Sequence, residues 1–339
     1  MFSRVLPAAF LIIAASLALA GQENGATNPT FPAALDRILA AVSTNPSVVI
    51  PGVEGWLFFQ PELRHLSNPS FRKMEAVGTN VEAKSPLTAI LDFKKQLDRA
   101  GISLLVVPVP AKASVYPDKL IAGTVAAEAW RTLNGDSGFC RLLESNGVGV
   151  LDLTGTFRDN RDKGLALYCS TDSHWSPEGI RIAADAIASR VTNAPWFAGI
   201  PKKEMLVEDR PLTFTGDLET GTNPSSPPET VTLHCVSQDG RPVPTPRESP
   251  VLLLGDSHDL VFHSGGEMHA EGSGLPDLLA AKLGFPLDVV AVLGSGATPA
   301  RRSLARRKDN LAGKKLVIWC FSARDFTEAP SWEKVPVIR

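Results

Sequence analysis

A single large α/β domain on a parallel central sheet, carrying a loop-rich, partly β insertion, is the fold class that three features predict. Short continuous apolar runs bounded by Gly or Pro, such as Ile102–Val107 and Val251–Leu254, read as strands buried on both faces. Segments with apolar residues at helical spacing alternate with those runs, which is the rhythm of βα units. Residues 193–250 break the rhythm with a stretch rich in Pro, Thr and Gly. The 339 residues, 44% of them hydrophobic, suffice for one such domain with an inserted lobe. A formal net charge of −2 makes no general electrostatic case for nucleic acid or an anionic membrane.

The elements follow in order. Residues 1–20 have the pattern of a signal peptide: Arg4, a mostly apolar run from Val5 to Leu17, and Ala18-Leu19-Ala20 as a cleavage site near Ala20. The run is short for a spanning helix, so the pattern predicts secretion. Residues 21–30 form a flexible leader and 31–330 the domain, with 331–339 as a C-terminal tail. Pro32 opens a helix with Leu35, Ile38, Leu39 and Val42 on one face. Gly55–Phe59 is a short aromatic strand. Ser85-Pro86 caps a helix that Gly101 stops, and the strand Ile102–Val107 follows. A helix through Cys140 and Leu143 leads to a strand over Val148–Leu153, and Leu165–Tyr168 reads as another strand. Ser176, Pro177 and Glu178 start a helix buried through Ile180, Ala184, Ile187 and Val191. Within the insertion, Val231–Cys235 is a short β run and Asn223–Pro228 a surface loop. Val251–Leu254 runs into Gly255-Asp256-Ser257. A Gly-rich loop, His263–Gly274, precedes a helix over Pro276–Leu283 and a strand over Leu287–Val292 that ends at Gly294-Ser295-Gly296. Thr298-Pro299 starts a helix whose Arg301, Arg302, Arg306 and Arg307 read as a solvated face. Leu316–Cys320 is the last buried strand.

Loops at the carboxyl ends of parallel strands are where such folds keep their sites. Ser257 stands at one such end, on a strand-to-helix turn that exposes a hydroxyl and aims backbone N–H groups at the same spot. His174 is the candidate base, and Asp172, two residues away, the orienter of its imidazole. The Ser257 N–H and a donor from Gly294 to Gly296 would receive an oxyanion. Asp256, Lys112, Tyr116, Trp175 and Arg324 are further oxyanion or substrate candidates near these loops, with Trp175 either stacking on substrate or buttressing His174.

Other chemistries are less well supported. His258, His263 and His269 lie near Asp259 and Glu267 in a spacing that matches no metal motif, so no metal and no cofactor is expected. His258 is also a possible second base or substrate contact beside Ser257. The four cysteines, Cys140, Cys169, Cys235 and Cys320, permit two disulfides in three connectivities or four buried thiols.

Five blocks occur in order: Gly55–Phe59; Val107-Pro108-Val109-Pro110-Ala111-Lys112 with Tyr116-Pro117; Thr171-Asp172-Ser173-His174-Trp175-Ser176-Pro177-Glu178-Gly179; Gly255-Asp256-Ser257; and Leu316–Trp319. The set resembles the SGNH-hydrolase-like domain of the alginate O-acetyltransferase (AlgX/AlgJ) family. The resemblance implies a flavodoxin-like α/β/α fold, a periplasmic location, and Asp172, His174 and Ser257 as a catalytic triad. It also implies O-acetylation of an exported polysaccharide, with acetyl groups supplied by a membrane-bound acyltransferase of the MBOAT type. After the serine this chain has His258-Asp259, where the family pattern has an aromatic or small polar residue and then a small polar one. Three functions follow: an acetyltransferase with an acyl-serine intermediate, a secreted carbohydrate esterase on the same triad, or an inactive polysaccharide-binding or export-scaffold domain.

Overall fold

The computed structural model describes residues 30–42, 48–69, 85–133, 135–219 and 227–339, with only the backbone of 135 and 136. The expected signal peptide, residues 21–29 of the leader and most of the Asn223–Pro228 loop lie outside them. In chain order, α1 (Phe31–Val42) precedes an antiparallel pair, β1 (Val49–Pro51) and β2 (Leu57–Phe59), and then α2 (Gln60–Ser67). Ser85 caps α3 (Pro86–Arg99) by accepting the Thr88 N–H at 3.2 Å. Strand β3 (Ser103–Val109) leads through short helical turns to α4 (Gly135–Ser145), β4 (Gly149–Val150), α5 (Thr154–Arg161) and α6 (Pro177–Thr192). An antiparallel sheet follows, built from β5 (Leu206–Phe214), β6 (Glu229–Gln238) and β7 (Arg241–Pro242). The chain then returns through β8 (Val251–Gly255), α7 (Ser257–Leu260), α8 (Leu275–Leu283), β9 (Asp288–Ala291), α9 (Thr298–Ala305) and β10 (Leu316–Ser322).

The central sheet has the order β4-β3-β10-β8-β9, and every pairing in it is parallel. Side chains alternate across it, as the pleat requires. Leu105, Val107, Leu253 and Ile318 pack under α6 and α8, while Val106, Leu254, Val317 and Trp319 pack under α3, α4 and α9. The result is the expected α/β/α sandwich. A smaller core holds α1 and α2 with the β1–β2 pair. The carboxyl ends of β3, β10 and β8 lie side by side, and their loops carry Lys112, Arg324 and Ser257. No helix among the described residues is long and apolar enough to cross a membrane.

Four expectations need correction. Leu165–Tyr168 is not a strand: only Tyr168 forms a bridge, to Trp175, because the chain doubles back on itself and Ser176 N–H bonds Leu167 O at 3.0 Å. The strand over Val148–Leu153 shrinks to Gly149–Val150, since Asp152 turns its carboxylate onto the Thr154 N–H, at 2.9 Å, and starts α5. Residues 331–339 are no tail but part of the core, where Trp332, Val335 and Val337 are buried. In the arginine cluster, Arg301 is fully buried between the rings of Trp319 and Trp332 and donates to the Glu333 carbonyl at 2.8 Å. Arg307 pairs with Asp288, and only Arg302 and Arg306 are solvated. No disulfide joins the four cysteines, and Cys140, Cys169 and Cys320 are buried.

Candidate active site

Strand β8 is buried along its whole length and ends at Gly255. A Cβ there would collide with the Cys320 carbonyl and the Asp259 carboxylate, so the position admits only glycine. Asp256 then caps α7: its Oδ1 accepts the His258 N–H at 2.8 Å, and its Oδ2 accepts the Ser322 N–H from β10 at 2.7 Å. Ser257 is the first helical residue, and its N–H has no acceptor within the helix by position. The residue is 8% exposed. Burial favours a neutral Asp256, but the charges of His258 and Arg324 and the Ser322 N–H outweigh it and keep the carboxyl well below its ordinary range.

The second part of the site is the loop before α6. Ser176 caps that helix, accepting the Gly179 N–H at 3.0 Å. Lys112 pins the loop from below: its Nζ donates to the carbonyls of Leu57 (2.7 Å), Ser170 (2.9 Å) and Asp172 (3.1 Å). Glu229 on β6 holds it from the side, accepting the Ser170 N–H and Oγ–H, both at 2.8 Å. On this fixed backbone Asp172 Oδ1 lies 2.7 Å from His174 Nδ1 and also accepts the His174 N–H at 2.9 Å. Asp172 Oδ2 accepts the Asp217 N–H at 2.9 Å and lies 2.7 Å from His269 Nε2. Burial would raise the Asp172 carboxyl, but hydrogen bonds from His174, His269 and the Asp217 backbone hold it well below its ordinary value. Burial would likewise lower the His174 imidazole, yet the hydrogen bond and charge of Asp172, with Asp217 and Asp256 behind it, raise it. An ionised Asp172 fixes the His174 proton on Nδ1 and leaves the Nε2 lone pair to accept another.

The two parts are clamped together. Trp175 Nε1 donates to the His258 carbonyl at 3.0 Å, and the His174 and His258 rings meet edge to face at 5.0 Å. Ser257 thus sits on the turn next to His174. No hydrogen bond joins its hydroxyl to the imidazole among the described residues, and such bonds are often long until substrate tightens them.

Several candidates take other roles. Trp175 is fully buried and offers no face to a sugar, so it buttresses the His174 and His258 segments. Lys112 is buried as a carbonyl clamp, and burial lowers its pKa to about 8. Tyr116 is turned inward, donating to the Leu165 carbonyl and accepting the Leu167 N–H. Arg324 is spent on Ser322 Oγ and on Glu62, under the ring of Phe59. Gly296 donates its N–H to Asp325 at 2.9 Å, and a Cβ there would strike Phe321, so it is a packing glycine and not an oxyanion donor. Gly294 is exposed, with φ of +90°. The loop histidines do not converge: His258 faces Asp256, His263 faces Asp277 and His269 faces Asp172. The one group of ligand-type atoms close together among the described residues is Asp172, His174 and Asp217. Asp217 spends both carboxylate oxygens on Ser173, at 2.6 Å each. His269, Asp217 and Glu229 were not singled out from the sequence as parts of this site. Only the folded chain brings them to the Asp172 loop.

Comparison with known proteins agrees with this architecture. The family model described as "SGNH hydrolase-like domain, acetyltransferase AlgX" matches residues 49–323. The probable alginate O-acetylase AlgJ of Pseudomonas aeruginosa is 31% identical over 146 residues, covering 43% of this chain and 33% of the relative. The corresponding protein of Pseudomonas fluorescens is 27% identical over 225 residues, covering 63% of this chain and 53% of the relative. The matches therefore span a third to about half of the length of these relatives. The solved O-acetyltransferase domain of Pseudomonas putida AlgJ superposes with a TM-score of 0.60 at 19% identity, covering 82% of this chain and 91% of that one. Pseudomonas aeruginosa AlgX gives 0.57 at 19% identity, with 83% and 66% covered. At such identity these two structures bear on the fold alone.

Proposed function

Since the chain belongs to the family of SGNH-hydrolase-like AlgX acetyltransferase domains, we propose that it is a periplasmic O-acetyltransferase that passes acetyl groups through Ser257 to hydroxyls of an exported polysaccharide. The observation that carries the proposal is the buried Asp172–His174 pair, 2.7 Å apart, whose imidazole packs at 5.0 Å against His258, the residue that follows Ser257 in the first turn of a helix. In the first half-reaction Ser257 Oγ bonds to the acetyl carbonyl carbon. Its proton passes to His174 Nε2, and the donor's leaving group departs with that proton. Asp172 holds the tautomer and stabilises the imidazolium. The Ser257 N–H and a donor at Gly294 receive the oxyanion; one such donor is worth roughly 10²–10³ in rate. In the second half-reaction a sugar hydroxyl gives its proton to His174 and attacks the acetyl-serine, and Ser257 leaves with the proton. Water in place of the sugar makes the same site an esterase. The AlgJ relatives, named as probable alginate O-acetylases, support alginate as the first acceptor to try. The resemblance supports a membrane-bound acyltransferase of the MBOAT type as the acetyl source.

The test is the intact mass of the protein after exposure to an activated acetyl ester, wild type beside Ser257→Ala. One added acetyl on wild type alone, discharged by an acceptor glycan, is the expected result. Equal labelling of both proteins would remove Ser257 from the mechanism. Discharge by water alone, with no product on any glycan, would make the protein an esterase.

A further inference from the structure

Asp172 has two imidazole partners. His174 Nδ1 lies 2.7 Å from Oδ1, and His269 Nε2 lies 2.7 Å from Oδ2. His269 occupies a costly conformation. Its φ is 70° and ψ −44°, and the Ala270 N–H reaches back to Met268 O at 2.8 Å. This is a γ-turn with positive φ at a residue that carries a Cβ, a rare and strained arrangement. Glycines stand close by at 265, 266 and 272, each with positive φ, yet a histidine holds this corner. The turn delivers the ring between Phe214, at 4.4 Å, and Phe262, at 5.8 Å, which fix its plane. With Nε2 donating, Asp172 accepts four hydrogen bonds, two on each oxygen, and its acceptor capacity is filled.

We propose that His269 is a positioning residue, whose Nε2–H grips the far oxygen of Asp172 so that the near oxygen stays on His174 Nδ1. The role rests on the Asp172–His174–Ser257 mechanism and extends it to the Gly-rich loop. The backbone strain at residue 269 is the cost of aiming that ring. His269 does not touch the reacting atoms, so it bears on turnover and not on substrate binding.

Two variants test it: His269→Gly removes the ring and relaxes the positive φ, and His269→Gln keeps a donor at the same reach. The proton NMR signal of the His174 Nδ1–H is followed beside acetyl-transfer kinetics, with circular dichroism to verify folding. For His269→Gly, kcat should fall roughly 10- to 100-fold, the scale of one hydrogen bond to a charged group. KM should stay within about twofold, because uniform binding is untouched. The far-downfield Nδ1–H signal of wild type should move upfield or exchange away. His269→Gln should restore most of both. A folded Gly variant with wild-type kcat and an unmoved signal overturns the proposal, as does a rise in KM with kcat unchanged or a failure of Gln to restore the signal. Should Ser257→Ala transfer acetyl as well as wild type, the acyl-serine mechanism falls, and the His174 signal alone then decides the role of His269.

Discussion

At the scale of single residues, the chemistry depends on which groups are charged. His174 can take a proton from Ser257 only while it is neutral. Its pKa is raised above the ordinary value, burial being outweighed by the hydrogen bond and charge of Asp172. We therefore expect kcat/KM to climb with pH and reach half its plateau above about 6.5, measured as a pH–rate profile. The same shift makes a stability contribution of opposite sense. The folded chain binds the His174 proton more tightly than the unfolded chain does. That contribution is full below the unfolded pKa and is lost as pH rises through the folded one, so activity rises across the window in which this part of the stability is lost. Asp172→Asn removes the charge that holds the tautomer. The rate of acetyl transfer should drop by roughly 10⁴-fold, and the acid limb should move to lower pH because the cause of the raised pKa is gone. A profile whose acid limb stays where it is would mean that another group titrates there.

At the scale of elements, the site is a loop held still by buried polar groups. Lys112, at the carboxyl end of β3, fastens three carbonyls of two separate segments. Lys112→Met keeps the bulk and removes the donors. Unsatisfied buried carbonyls should then cost roughly 3 kcal/mol in urea unfolding, with activity lost beyond the loss of folded protein. A variant with unchanged midpoint and activity would show the clamp to be dispensable. This function of Lys112 was not legible in the sequence, because its acceptors lie 55 to 60 residues away. What was legible is local. Strands β3, β8 and β10 read directly as unbroken apolar runs, and Ser176-Pro177 marks the start of α6. The Asp172–His174 contact spans two residues, so spacing alone suggested it. The failures share one cause, which is tertiary context. Leu165–Tyr168 has the residues of a strand but closes on its own loop. Arg301 looks solvated until Trp319 and Trp332 are folded around it. His269 reaches Asp172 across 97 residues, a distance at which no pattern in one sequence gives a signal.

At the scale of the whole molecule, the sheet order β4-β3-β10-β8-β9 puts β10 in the middle. Every residue of that strand is buried. We expect a chain stopped before Leu316 to lose cooperative unfolding in urea, since its remaining strands would form two unconnected pairs. A sharp transition in that truncated chain would show that either half folds alone. The placement also has a consequence in time. The strand that joins the two halves is the last of the five in the chain, so synthesis delivers both halves before the piece that unites them. The β3 half waits for a partner some two hundred residues downstream, and such distant pairings are slow to close. Until β10 arrives, the flanks of β3 and β8 are open edges that invite pairing with other chains. A nascent molecule is thus most prone to aggregate just before β10 emerges, and a helper that delays collapse of the two halves until that strand is present should raise the yield of active protein.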